Sequence, residues 1–146
     1  MNEPRGAALY TPELLALATR LASFPLDGVS GRTGSARSTT CGSTLKIGLD
    51  LDPSNRIARV AMRATACAVG QAAAAIFAEG ALSLGRAEVE TARHAITQWL
   101  DGSGRLPEWP QFALLEAARE YPSRHGAILL PWIAAIDALC NETASS

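Results

Sequence analysis

Between Thr44 and Thr65 the chain alternates apolar and polar residues twice, with a turn between the two runs. Leu45, Ile47, Leu49 and Leu51 fall on one face of the first run, and Lys46, Gly48 and Asp50 on the other. Ala58, Val60, Met62 and Ala64 repeat the pattern in the second, with Arg59, Ala61 and Arg63 opposite. A period of two predicts a half-buried strand in each case. Asp52-Pro53-Ser54-Asn55 is turn chemistry with proline in second place. The two runs therefore predict an antiparallel hairpin with one face covered. Its outward arginines read as a solvated face.

Elsewhere the period lengthens to that of a helix. Thr11-Pro12 is a helix start, a capping hydroxyl followed by proline at the first helical position. Leu14, Leu15, Leu17, Ala18, Leu21 and Ala22 then form an apolar stripe that stops near Phe24-Pro25. The stretch 28–40 is rich in glycine and serine and has almost no apolar content, which predicts a flexible loop. After the hairpin, Ala64 to Leu84 (ATACAVGQAAAAIFAEGALSL) begins a helix near Cys67, and Gly85 ends it. A second amphipathic helix over 86–100 shows Val89, Ala92, Ile96 and Trp99 on one face, with His94 at the surface. A loop over 101–110 should pack Trp109 onto the core, and Phe112 to Arg119 can form a short helix. The last helix is expected to start near Ile128, because Pro131 is tolerable only in a first turn. Cys140 falls at its far end. The order helix, loop, two-strand meander and four helices predicts an α+β fold in one domain spanning 1–146, with its ordered core over about 10–140.

Composition narrows the class. The 146 residues are 48 % apolar and 18 % charged, with a formal net charge of −1, so no nucleic-acid footprint is present. No run approaches the roughly 18 apolar residues of a membrane span. Glu3 and Pro4 stand where a secretory leader would need a basic and then an apolar segment. Three widely spaced cysteines do not form a disulfide framework. Reduced thiols and a cytoplasmic location are the expectation.

The thiols carry the candidate chemistry. Cys67 sits where a strand passes into a helix, and a helix N-terminus presents unpaired N–H groups and a positive partial charge suited to an anionic sulfur. A small buried packing residue also fits this position. Cys41 enters the hairpin that Cys67 leaves, so both should lie at one end of the sheet, a soft-metal or sulfur-handling pair. No Ser–His–acid signature is present, and an enzyme with its own catalytic residues is not expected.

The succession Cys41-Gly42, hairpin, ACAVGQAAA over 66–74 and YPSRHGAILLPW over 121–132 resembles the U-type iron–sulfur cluster scaffold family. That family includes IscU, SufU and the N-terminal domain of NifU. The likeness runs from about Tyr10 to Leu139, and the long segment before the last helix is similar to the SufU branch. The resemblance implies a transient [2Fe–2S] cluster held by three cysteines with an aspartate nearby. It also implies sulfur supplied by a cysteine desulfurase and delivery to recipient apo-proteins. In SufU-type members it implies zinc at the same residues and acceptance of persulfide sulfur.

Two positions depart from the family pattern. Ser43 replaces the aspartate of its C-G-D motif, and Ala127 stands where the third cysteine is expected. His125 lies two residues earlier and offers an imidazole as a substitute metal ligand beside Cys41 and Cys67, or else caps a turn. Cys140 is roughly 20 Å beyond Ala127 at about 1.5 Å per helical residue, too far to replace it. The LPPVK-type chaperone motif is absent, since YPSR stands there. A cluster normally takes four thiolates and zinc four N or S ligands, so one protomer is short of donors. Completion by His125 and an external thiol, a cluster shared in a homodimer, a persulfide relay needing no ligand set, and a metal-free interaction protein all remain open.

Overall fold

The computed structural model of the chain describes residues 10–26, 31–39 and 42–141. Helix α1 (Pro12–Arg20) is capped as its sequence predicts, Thr11 Oγ1 accepting the Leu14 N–H at 3.2 Å. A 3-10 turn, Leu21–Ser23, follows. Strands β1 (Arg32–Arg37), β2 (Thr44–Leu51) and β3 (Ile57–Thr65) form an antiparallel meander in the order β1-β2-β3. Helices α2 (Ala68–Gly80) and α3 (Arg86–Leu100) follow. Then come 3-10 segments Phe112–Glu120 and Pro122–Arg124, and helix α4 (His125–Cys140). The α+β architecture is the one the alternation and helical periodicity predict. Among the described residues no helix is long and apolar enough to cross a membrane.

Two expectations are corrected. The stretch read as a loop contains β1, so the sheet has three strands where the sequence pattern suggested two. RTGSAR shows no apolar alternation because β1 is held by distant partners. Gly34 lies so close to α4 that a Cβ there would meet Ala134 O at 2.5 Å and Ala138 Cα at 2.9 Å. Asp137 Oδ2 accepts the Ser35 N–H at 3.0 Å, and Asn141 Nδ2 donates to Thr33 O at 3.0 Å. Helix side chains thus cap the open edge that a sheet must otherwise protect. Arg32 Nη1 in turn donates to Leu139 O at 2.8 Å, covering the last carbonyls of α4.

The last helix starts at His125, three residues earlier than expected, so Pro131 lies in its interior. Proline there forfeits the N–H that would bond the Ala127 carbonyl, at a cost of about 3 kcal/mol. Packing offsets this, because Ile128, Leu130, Trp132, Ala134, Ala135 and Ala138 are all buried. Trp132 is the hub of the core. It meets the rings of Phe77, Trp109 and Phe112 edge-on at centroid distances of 5.4, 5.1 and 5.9 Å. Trp109 packs down as expected, stacked on Phe77 at 5.5 Å, with its Nε1 donating to Ile76 O at 2.8 Å. These contacts fasten α2, α4 and the segments around Trp109 and Phe112 together, and α2 becomes a buried central helix.

Candidate functional site

The site is built at one end of the meander. Register pairs Thr44 with Thr65, so Gly42–Ser43 and Ala66–Cys67 leave the same end of the sheet. The turn before β2 is closed by Ser38 N–H to Ser43 O at 2.8 Å and Gly42 N–H to Ser38 O at 2.9 Å. Gly42 adopts φ 73°, the left-handed region that glycine enters without strain. Cys41 lies outside the described residues.

Cys67 is the N-cap of α2, extended at φ −67° and ψ 173°, and its carbonyl accepts the Gln71 N–H at 2.9 Å. The side chain of Gln71 donates to Ala66 O at 3.1 Å and fixes the approach to the helix. The Cys67 thiol is half-buried, free of any disulfide, and spends no bond on capping its own helix. Cys140 is also free and is exposed at the far end of α4.

The first turn of α4 reaches the same place. A Cβ on Gly70 would come within 2.8 Å of Ala66 Cβ and 3.4 Å of Ala127 Cβ. Ala127 is therefore packed against the first turn of α2, three residues after Cys67. It is fully buried, and it supplies a methyl group where a donor atom would serve a metal. Ser43 is 5 % exposed and is tied into the Gly42 turn through its carbonyl.

His125 has other work. Its Nε2–H donates to the Arg119 carbonyl at 2.7 Å, joining the start of α4 to the end of the 3-10 segment before it. Because a carbonyl only accepts, that bond places an N–H at Nε2 and makes His125 a structural brace. His94 is exposed, as expected, and its ring lies 3.2 Å from Gln98 Nε2. A groove of about 580 Å³ between α3 and residues 104–109 includes neither Cys67 nor His125.

The fold at this site matches known structures closely. The N-terminal domain of a nitrogen-fixing NifU-like protein from Brucella abortus superposes with a TM-score of 0.79 at 26 % identity, covering 93 % of this chain and 95 % of that one. By fold, the chain is similar to the U-type scaffold proteins. A scaffold-protein candidate for iron–sulfur cluster assembly in the SUF system of Fervidobacterium islandicum AW-1 superposes at 0.77 and 17 % identity, over 90 % and 97 % of the two chains. A hypothetical protein of known crystal structure gives 0.69 at 18 % identity, over 88 % and 98 %. No protein-family model and no curated protein sequence matches the chain.

The donor set departs from what a U-type scaffold's cargo needs. Among the described residues no group of three His, Cys, Asp or Glu side chains is gathered to hold a metal ion. The described part of the site offers one thiol, a buried serine and a methyl, and the sequence adds Cys41. Two thiols do not make the closed four-ligand set of zinc or of a [2Fe–2S] cluster. The contact of Gly70 with Ala127 is the feature that sequence reading missed. A glycine in the first turn of a helix was its only local signal.

Proposed function

We propose that the chain serves iron–sulfur cluster assembly as a sulfur carrier built on the scaffold fold, with Cys67 as the accepting thiol and Cys41 as the second thiol of the pair. The observation that supports this most is the combination at α2: a free, half-buried N-cap thiol at Cys67, with a methyl at position 127 packed against the same first turn. A persulfide acceptor needs one accessible thiolate and no ligand set. The Cys67 thiolate attacks the terminal sulfur of a cysteine desulfurase persulfide. The donor S–S bond breaks, its electron pair leaves on the donor's inner sulfur as a thiolate, and a new S–S bond forms on Cys67. The terminal proton travels with the transferred sulfur, and no external oxidant or reductant is consumed. Recipient proteins then take the sulfur by the same exchange. The chain is in this sense an acceptor and carrier, not an enzyme with its own catalytic residue.

Anaerobic incubation with a cysteine desulfurase and cysteine, followed by peptide mass mapping, tests this. A gain of about 32 Da, one sulfur atom, is expected on the Cys67 peptide. It should be absent in Cys67→Ser and retained in Cys140→Ser. An unmodified Cys67 peptide in the wild type rejects the proposal. Reconstitution with iron and sulfide in the same samples is expected to leave no stable cluster on a lone protomer. The methyl at Ala127 and the braced His125 also suit a second reading, a metal-free protein that docks on the assembly machinery. In that case Cys67→Ser would leave cellular iron–sulfur enzyme activity untouched.

A further inference from the structure

The outward face of the sheet is not the evenly solvated surface that its alternation suggests. Register sets Lys46 directly opposite Arg63 on β3, with Ser35 on its other side. Arg37 lies one step along β1 from Ser35 on the same face, opposite Thr44. All three cationic side chains are exposed. None forms an ion pair among the described residues. Asp50 is the acidic residue within the strands on this face, and it lies at the other end, in register with Arg59. The three cations crowd toward the Thr44–Thr65 end, where the chain runs on through Ala66 to Cys67. The whole protein carries a net charge of −1, so this concentration is local. Like charges placed directly across a strand pair oppose folding, and among the described residues this pair has no ion-paired counter-charge. Beside it lies a hollow of about 430 Å³ lined by Leu26, Thr33, Gly34, Ser35, Lys46, Ile47 and Gly48.

We propose that this Arg37–Lys46–Arg63 face is a docking surface for an acidic protein partner, the one that exchanges sulfur with Cys67. The last clause rests on the sulfur-carrier reading, whereas the acidic character of the partner rests on the patch alone. Charge complementarity supplies the argument. A trio of exposed cations attracts and orients an anionic surface, and docking there brings the partner to the sheet end from which Cys67 projects its helix. Ser35, Thr33, Thr44 and Thr65 on the same face supply hydroxyls for the polar rim.

Lys46→Glu is the decisive variant. It reverses the centre of the patch and turns the opposing like pair into an opposite pair, so the fold is expected to be at least as stable as the wild type. Binding of a fluorescent oligoglutamate peptide should weaken by at least about tenfold in Lys46→Glu, a like-charge contact being worth that much. It should change less than about twofold in Arg93→Glu, the same charge change on α3. Amide shifts on peptide binding should centre on Arg37, Lys46, Arg63 and Thr65, and added salt should weaken the complex. Equal binding by Lys46→Glu and wild type overturns the proposal, as do shifts centred on α3. Tighter binding of a single-stranded oligonucleotide than of the peptide on this face also overturns it. Persulfide loading separates the two readings. Slower loading of Lys46→Glu from a desulfurase, with unchanged loading from a small persulfide donor, supports docking. Equal loading from the desulfurase refutes the docking role and leaves the sulfur reading standing. Failure to load wild type from either donor refutes the sulfur reading, and the peptide result still decides the patch.

Discussion

Replacing Gly34 by alanine tests whether the glycine- and serine-rich segment is a strand pressed on α4 or a solvated loop. A new Cβ would sit 2.5 Å from Ala134 O and 2.9 Å from Ala138 Cα, and closer still to the Ala138 nitrogen. Ordinary carbon contacts begin near 3.5 Å, so β1 and α4 must separate by something like 1 Å. The obstructing atoms are helix backbone and cannot rotate away. Overpacking of this kind costs about 1–3 kcal/mol, and immovable neighbours place this case at the upper end. Alanine restricts the unfolded chain and returns about 0.4–1 kcal/mol. The net expectation is a loss of about 2 kcal/mol, or a fall in Tm of roughly 4–8 °C for a chain of this size. Urea denaturation followed by circular dichroism gives the free energy, and a thermal melt gives the Tm. The expected result is a lower midpoint with an unchanged slope. A variant within about 0.5 kcal/mol of wild type, as for an ordinary surface site, would mean that β1 does not touch α4 as described.

Ala127→Cys should convert the site toward a metal centre, because Ala127 packs against the first turn of the helix that Cys67 caps. Zinc affinity, read by chelator competition, is expected to rise by more than the roughly tenfold that even an outer-sphere partner contributes. An unchanged affinity would separate position 127 from the site. Acid should act on the start of α3. Glu88 accepts the Gly85 N–H at 2.9 Å, and that backbone bond holds its carboxyl below the ordinary value of 4.5. A lowered pKa gives a contribution fully present above pH 4.5 and lost as the pH falls through the depressed value. The stability difference between wild type and Glu88→Gln should therefore narrow in melts taken below pH 4.5, and a constant difference would refute the linkage.

What could be read from the chain is what its own neighbourhood decides. Thr11 caps α1 through a residue three positions away, and the β2–β3 turn is closed by Asp52 Oδ1 accepting from Ser54 and Arg56 N–H. Alternation in β2 and the middle of β3 follows from a sheet with one covered face, but beyond the irregularity between Asp50 and Leu51 it is Ile57 and not Ala58 that is buried, and Ala61, expected outward, is buried as well. Strand β1 escaped because its stabilising partners, Asp137, Leu139 and Asn141, come about a hundred positions later. The start of α4 escaped because burial of the helix outweighs the local penalty of Pro131. In both cases tertiary contacts overrode a correct local rule.

The site divides along the same line. Cys67 was legible because a helix start and a strand end are local signals that coincide on one thiol. Ala127 was legible only through the family resemblance, which expects a cysteine there, since by itself a buried alanine looks the same whether it lines a site or a core. The contact between Gly70 and Ala127 packs that methyl against the first turn of α2, the helix that Cys67 caps. That contact bears on function through a simple asymmetry. A metal site loses its closed ligand set when one donor becomes a methyl, whereas transfer of a single sulfur between thiolates asks for one accessible nucleophile and a partner held in the right orientation. The fold keeps the first of these at Cys67. The exposed cations of Arg37, Lys46 and Arg63, clustered at the same end of the sheet, would supply the second on the docking proposal. On the sulfur-carrier proposal, a chain with a free thiol at Cys67 and an exposed cationic face is better matched to passing sulfur along than to storing a cluster.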